Sequence, residues 1–238
     1  MRKPWSVLME ERNRNEASAP QQPLSASRQE DGETVAGTDS FRIRCITIIG
    51  QIEGHYAFQD GQKSTKYEHI LPMLVETEED REIDGLLILL NTMGGDVEAG
   101  LAIAELIAGM TKPTVSLVIG GGHSIGVPLA VSAKRSFIAP SATMTIHPVR
   151  YNGLVIGAEQ AFWYLRKMQD RILQFIETHS HADMKRFREL MLQTDELASD
   201  MGTIISGREA VELGLIDEIG SLGDALRALR KQSNACSN

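Results

Sequence analysis

One pattern restricts what this chain can fold into more than any other. From Phe41 to Asp217, short β-rich runs alternate with segments of helical periodicity, and two of the runs end in glycine-rich corners. Arg44-Cys-Ile-Thr-Ile-Ile49 reads as a strand ending at Gly50, and 53–66 as a polar loop. Tyr67 to Glu79 carries Tyr67, Ile70, Leu71, Leu74 and Val75 at helical spacing. Leu86 to Leu90 is an apolar strand, followed by Asn-Thr-Met-Gly-Gly95 and a helix from Asp96 to Met110 that Lys112-Pro113 stops. Further strands fit Thr114–Ile119, Arg135–Ala139, Thr143–Ile146 and Leu215–Asp217. Helices fit Ile125–Lys134, Gly157–Thr178, Met184–Leu192, Gly207–Gly214 and Asp224–Arg230. The longest, 157–178, places Ala161, Tyr164, Leu165, Met168, Ile172, Phe175 and Ile176 on one stripe. Strands separated by helices imply an α/β fold: a mostly parallel sheet with right-handed crossovers. Ligands then gather at the carboxyl ends of the strands, where both glycine corners lie.

Composition narrows the function. The chain of 238 residues suits one domain with an attached tail, and 42% apolar residues suffice for its core. A net charge of −8 argues against nucleic acid as a partner. No apolar run reaches the roughly 18 residues of a membrane span, so a soluble cytoplasmic protein is expected. Cys45 and Cys236 make no disulfide framework and no metal motif; neither a metal nor a cofactor is expected. Residues 1–40 are rich in Pro, Gln, Ser, Asn, Arg and Glu and poor in aliphatics, which predicts a disordered polar extension ahead of a domain over 41–231. Trp5 to Met9 is too short for a signal peptide; a small adhesive patch around Trp5 and Leu8 is the alternative. Residues 232–238 are expected to fray.

Ser124 lies in Gly122-His-Ser-Ile-Gly126, the spacing of a strained strand-to-helix turn that presents a nucleophile. The bland reading is an N-cap for the next helix. At the other corner, Gly94 and Gly95 can expose backbone N–H groups to an oxyanion, with the N–H of Ile125 as a further donor; a simple tight turn is the alternative. Asp96 suits a helix N-terminus. Neither corner is a dinucleotide site, because the third glycine and the following acid are missing. His147 ends an apolar strand on the same sheet edge and precedes Pro148, so it is a candidate general base. His123, His179 and His181 compete. His123 points away from Ser124 if the turn is sharp, and the other two sit in a polar helix connection. Asp195 and Asp200, after the 184–192 helix, are candidates to orient the imidazole.

Four segments in this order resemble the ClpP family of self-compartmentalising serine proteases, and within it the translocation-enhancing subgroup. They are Leu90-Asn-Thr-Met-Gly-Gly-Asp-Val-Glu-Ala-Gly100, Gly122–Gly126, Met144-Thr-Ile-His-Pro148 and Ile205-Ser-Gly-Arg-Glu-Ala-Val-Glu-Leu-Gly-Leu-Ile-Asp217. The resemblance covers about Ile43 to Ile219. It implies a ClpP/crotonase-like spiral of β-α units with 157–178 as a long handle helix. It also implies Ser124 as nucleophile, His147 as base, Asp195 (or Asp200) as acid, and Gly94, Gly95 and Ile125 as oxyanion donors. By the same resemblance the substrate is a peptide or unfolded protein. The resemblance also implies heptameric rings and an ATPase unfoldase as partner. The chain departs from the family pattern in His-Ser-Ile at the serine turn, in Pro148 directly after His147, in a longer 55–69 stretch, in an expanded loop holding both aspartates, and in forty polar residues ahead of the first strand. A crotonase-type acyl-CoA enzyme and a non-catalytic scaffold are alternatives of other classes. An α/β-hydrolase would need its acid before its histidine, an order that only Asp170 with His179 or His181 provides.

Overall fold

The computed structural model of the protein describes residues 33–38, 41–55, 61–151, 153–194 and 201–236. A parallel sheet forms its centre, with strands β2 (Phe41–Glu53), β4 (Gly85–Gly95), β5 (Thr114–Gly122), β6 (Arg135–Ile138) and β9 (Glu218–Ile219) side by side in that order. The antiparallel strand β1 (Glu33–Thr38) borders β2 at one edge, and β3 (Ser64–Lys66) pairs with the far end of β2. Strand β7 (Thr143–Ile146) leaves the sheet: it touches β5 at Gly121 and pairs antiparallel with β8 (Thr203–Ser206). Crossovers are made by helices α1 (Tyr67–Glu79), α2 (Val97–Gly109) and α3 (Gly126–Val131), followed by α4 (Ala158–His179), α5 (Met184–Met191), α6 (Gly207–Glu212) and α7 (Leu222–Cys236). This is the α/β architecture that the alternation predicts.

The apolar strand runs explain the core. Ile46, Ile48, Leu86, Ile88 and Leu90 are fully enclosed, and helices α1 and α2 cover them with Ile70, Leu74, Ile103 and Ile107. Strands buried on both faces need no polar alternation. On the opposite face, Ala225 and Leu229 of α7 pack on Ile43, Leu87, Val115 and Phe137.

Several boundaries differ from the sequence reading for identifiable reasons. Part of the 1–40 stretch, Glu33–Thr38, forms β1, held by backbone pairing and by a buried ion pair of Glu33 with Arg44 at 3.0 Å; neither shows in hydropathy. The structure places no strand at Leu215–Asp217, because the Leu215 and Ile216 N–H groups bond the Ala210 carbonyl. Helix α7 extends to Cys236, past the periodic residues. Along α4 only the C-terminal half packs: Leu173, Phe175 and Ile176 are buried, whereas Tyr164, expected on the inner stripe, is exposed together with Phe162 and Trp163.

Candidate active site

Both glycine corners and the end of β7 meet at one point. Ser124 has φ of +57°, the left-handed region, and it is the one non-glycine among the described residues with positive φ. Such a conformation costs about 1–2 kcal/mol and persists where surrounding bonds fix it. Here the Ser124 N–H donates to the Thr145 carbonyl (2.9 Å) and the His123 N–H to the Thr92 carbonyl (3.1 Å). Gly126 and Val127 then return their N–H groups to the carbonyls of His123 and Ser124, both at 2.9 Å. The Ile125 N–H takes part in none of these bonds. Helix α3 begins at Gly126 with Ile125 at its N-cap position and no side-chain cap, so the N-cap reading of Ser124 does not hold.

The other corner is part of a strand. β4 continues through Asn91–Gly95 beside β2, and the Asp96 N–H closes the ladder on Ile52. Gly94 has φ of +91°, and a Cβ there would lie 2.6 Å from the Ser124 Cβ. Gly94 is therefore what lets the two corners touch. Its N–H, one of the three expected oxyanion donors, is given to the Thr92 hydroxyl at 3.0 Å. That engagement leaves Gly95, half-exposed beside it, and Ile125. The Thr92 hydroxyl itself donates to the Gly50 carbonyl at 2.6 Å. Asp96 caps α2 by accepting from the Ala99 N–H, as expected of that position.

Ser124 and His147 line the same narrow cleft, walled by Thr145, Ile172, Ile176 and Phe187 among others. The His147 Nδ1 lies 2.6 Å from the Pro148 carbonyl oxygen. A carbonyl only accepts, so Nδ1 carries the proton and Nε2 presents its lone pair. The segment after His147 is tied to the long helix by the Val149 N–H, which donates to the Gln169 side-chain carbonyl (3.0 Å). Two of the competing histidines, His123 and His179, are otherwise engaged. His123 shares a hydrogen bond with the Thr145 hydroxyl (2.8 Å), and burial pushes its pKa down, which keeps it neutral. His179 bonds the Phe175 carbonyl and stacks on that ring.

Asp195 and Asp200 lie outside the described residues. Residues on either side of them are close to the cleft: the Gly202 N–H donates to the Gln193 carbonyl at 2.7 Å, and a Cβ on Gly202 would lie 2.7 Å from the His147 Cβ. Thr92, Thr145, Gln169 and Gly202 were not singled out from sequence. Only glycine at 202 carries a local signal, a break just before the Thr-Ile-Ile-Ser run. Among the described residues no group of three or more His, Cys, Asp or Glu side chains is placed to hold a metal.

Comparison with known proteins bears on the same stretch. The sequence model of the family described as Clp protease matches residues 42–222. The chain belongs to the Clp protease family. Similarity is high to the translocation-enhancing protein TepA of Halalkalibacterium halodurans, at 57% identity over 84% of this chain and 79% of that protein. An ATP-dependent Clp protease proteolytic subunit 1 of Protochlamydia amoebophila is 31% identical over 56% of this chain and 64% of its own length. The corresponding subunit of Lactococcus lactis is 24% identical over 74% and 82%. The parallel sheet with its out-turned β7–β8 pair and long α4 is thus a Clp-protease fold, with α4 as its handle. No helix among the described residues is long and apolar enough to cross a membrane.

Proposed function

We propose that this Clp-family chain is a serine endopeptidase that cleaves peptides or unfolded proteins by acyl transfer. The observation that carries the reading is the strained Ser124, seated against Gly94 in a cleft shared with His147. Ser124 Oγ attacks the scissile carbonyl while His147 Nε2 takes its proton. The N–H groups of Gly95 and Ile125 receive the oxyanion, each donor contributing about 3 kcal/mol in comparable sites. The imidazolium then protonates the leaving amine, and water repeats the sequence on the acyl-enzyme. Asp195 or Asp200 supplies the acid that steadies the imidazolium, each two residues from a hydrogen-bonded neighbour of the cleft.

The chain acts as a homo-oligomer in the cytoplasm. What supports assembly is the apolar cluster of Leu154, Ile156, Phe162, Trp163 and Tyr164 at the start of α4, all more than half exposed; such contiguous patches mark interaction surfaces. The name of the H. halodurans relative, a translocation-enhancing protein, supports a link to protein secretion. The test is acylation by a fluorophosphonate probe. Labelling of the assembled protein at Ser124, abolished by Ser124→Ala and His147→Ala, is the expected result. A folded, assembled chain that takes no label overturns the reading, and a catalytic activity that survives Ser124→Ala favours a crotonase-type enzyme.

A further inference from the structure

Directly before the nucleophile stands an imidazole, His123, that the acyl-transfer chemistry proposed above does not use. Its main chain and its ring are nevertheless committed. The His123 N–H donates to the Thr92 carbonyl of β4 (3.1 Å), and its own carbonyl accepts from the Gly126 N–H (2.9 Å). The ring Nδ1 shares a hydrogen bond with the Thr145 hydroxyl of β7 (2.8 Å). A Cβ on Gly121 would lie 2.5 Å from the His123 Nε2, so glycine at 121 leaves the ring its place.

We propose that His123 is a positioning residue whose ring holds Ser124 in register with His147 by way of Thr145, a role that rests on the acyl-transfer reading. Two adjacent residues grip one. The Ser124 N–H donates to the Thr145 carbonyl (2.9 Å), and the His123 ring bonds the hydroxyl of the same threonine. Thr145 stands two residues before His147, and both line the cleft with Ser124. Residues two apart along a strand share a face, so a shift of the chain at Thr145 carries the His147 imidazole with it. One main-chain bond alone leaves the serine turn free to swivel about that bond. A second bond from the neighbouring residue fixes its orientation. The need is particular to this place, because φ of +57° at Ser124 persists only where the surroundings over-determine it. Gly126 and Val127 hold the turn from its C-terminal side, and the His123 ring holds it from the other. The hydroxyl can donate or accept, so either tautomer of the imidazole makes the bond.

Full-length variants test this with the fluorophosphonate probe, its binding constant (KI) and its acylation constant (kinact) read separately. His123→Ala should lower kinact about 30-fold and leave KI unchanged, since misplacement by an ångström costs on the order of 10²-fold. Thr145→Val removes the hydroxyl at nearly constant size and should do the same, and the double variant should lose no more than either single change. Asparagine carries a polar atom on Cγ, where histidine carries Nδ1, whereas glutamine carries its polar atoms one carbon further out. His123→Asn should therefore label within about threefold of the parent, because the bond to Thr145 is remade, and His123→Gln should not. Independently of catalysis, amide hydrogen exchange over 123–127 should quicken about tenfold in His123→Ala and in Thr145→Val, with the circular dichroism of the parent retained. If His123→Ala fails to fold, Thr145→Val and the Asn and Gln pair decide. A parent that labels while these variants label equally fast overturns this proposal alone. So do single losses that multiply in the double variant, rescue by Gln as good as by Asn, or exchange that neither variant changes. A folded parent that takes no label overturns the acyl-transfer reading and this proposal with it.

Discussion

Thr92→Val is the substitution that most directly tests how the two corners are held together. The Thr92 hydroxyl makes two bonds at once, donating to Gly50 and accepting from Gly94, while its methyl fills the space beside Gly126. Valine keeps that methyl and replaces the hydroxyl with a second one of nearly the same size, so no cavity opens. The buried Gly94 N–H loses its acceptor, which costs about 1–3 kcal/mol. Gly50 is only half-buried, and its carbonyl recovers water, so that loss is about 1 kcal/mol. Together about 2–4 kcal/mol should disappear from the unfolding free energy, at about 2–4 °C of melting midpoint per kcal/mol for a domain of this size. The catalytic consequence is larger. Gly94 backs the Ser124 Cβ, and a shift of even a fraction of an ångström moves the nucleophile; fluorophosphonate labelling should slow by on the order of 10²-fold. Thr92→Ser keeps both bonds and loses one methyl. It should cost about 1 kcal/mol and label near the parental rate. The reasoning is refuted if the valine protein melts and labels like the parent, or if serine fails as badly as valine.

At Gly202, φ of +127° and a would-be methyl 2.5 Å from the Ile146 carbonyl oxygen and 2.7 Å from the His147 Cβ leave no room for alanine. Gly202→Ala should lower the Ser124 labelling rate by on the order of 10²-fold through displacement of the imidazole. Gly61→Ala, strained at φ of +91° but open in space, should label normally. Burial pushes the Cys45 thiol up to about 11 from 9.0. In a Cys236→Ser chain it should stay silent to Ellman's reagent at pH 8 until the protein unfolds. Between pH 9 and 11 the unfolded thiol has given up its proton while the folded one keeps it, so this group's contribution to stability falls as pH rises through that window; Cys45→Ala should flatten that part of a urea-midpoint profile.

The central fold was legible because its signals are local. The 67–79 periodicity coincides with α1, and 143–146 with β7. The strands beneath α1 and α2 are apolar on both faces, which only a covered parallel sheet accommodates. Where the reading missed, the deciding contacts are distant in sequence. β4 runs on through Asn91–Gly95, a glycine-rich strand-to-helix corner by its sequence, because β2 and the Gly50 and Ile52 carbonyls supply partners for polar and glycine residues that have no strand propensity of their own. β1 is fixed by a buried ion pair, and β8 is a four-residue run that becomes a strand by pairing with β7.

The same distinction separates the two halves of the candidate site. Ser124 and His147 can be singled out in sequence because each follows a strand on the same sheet edge and each lies in one of the four segments that carry the family resemblance. The residues that set their geometry are ordinary in sequence: a threonine, a glycine and a glutamine, each defined by a partner elsewhere in the chain. Thr92 bridges Gly50 and Gly94. Gly202 allows the chain to pass against His147. Gln169 reaches from α4 to Val149, two residues beyond the imidazole. Each depends on close approach of main chain to main chain or of side chain to main chain, which the fold creates and no local pattern announces. A change at any of these three should therefore lower the acylation rate without altering the nucleophile or the base. This expectation separates them from surface residues of the same type.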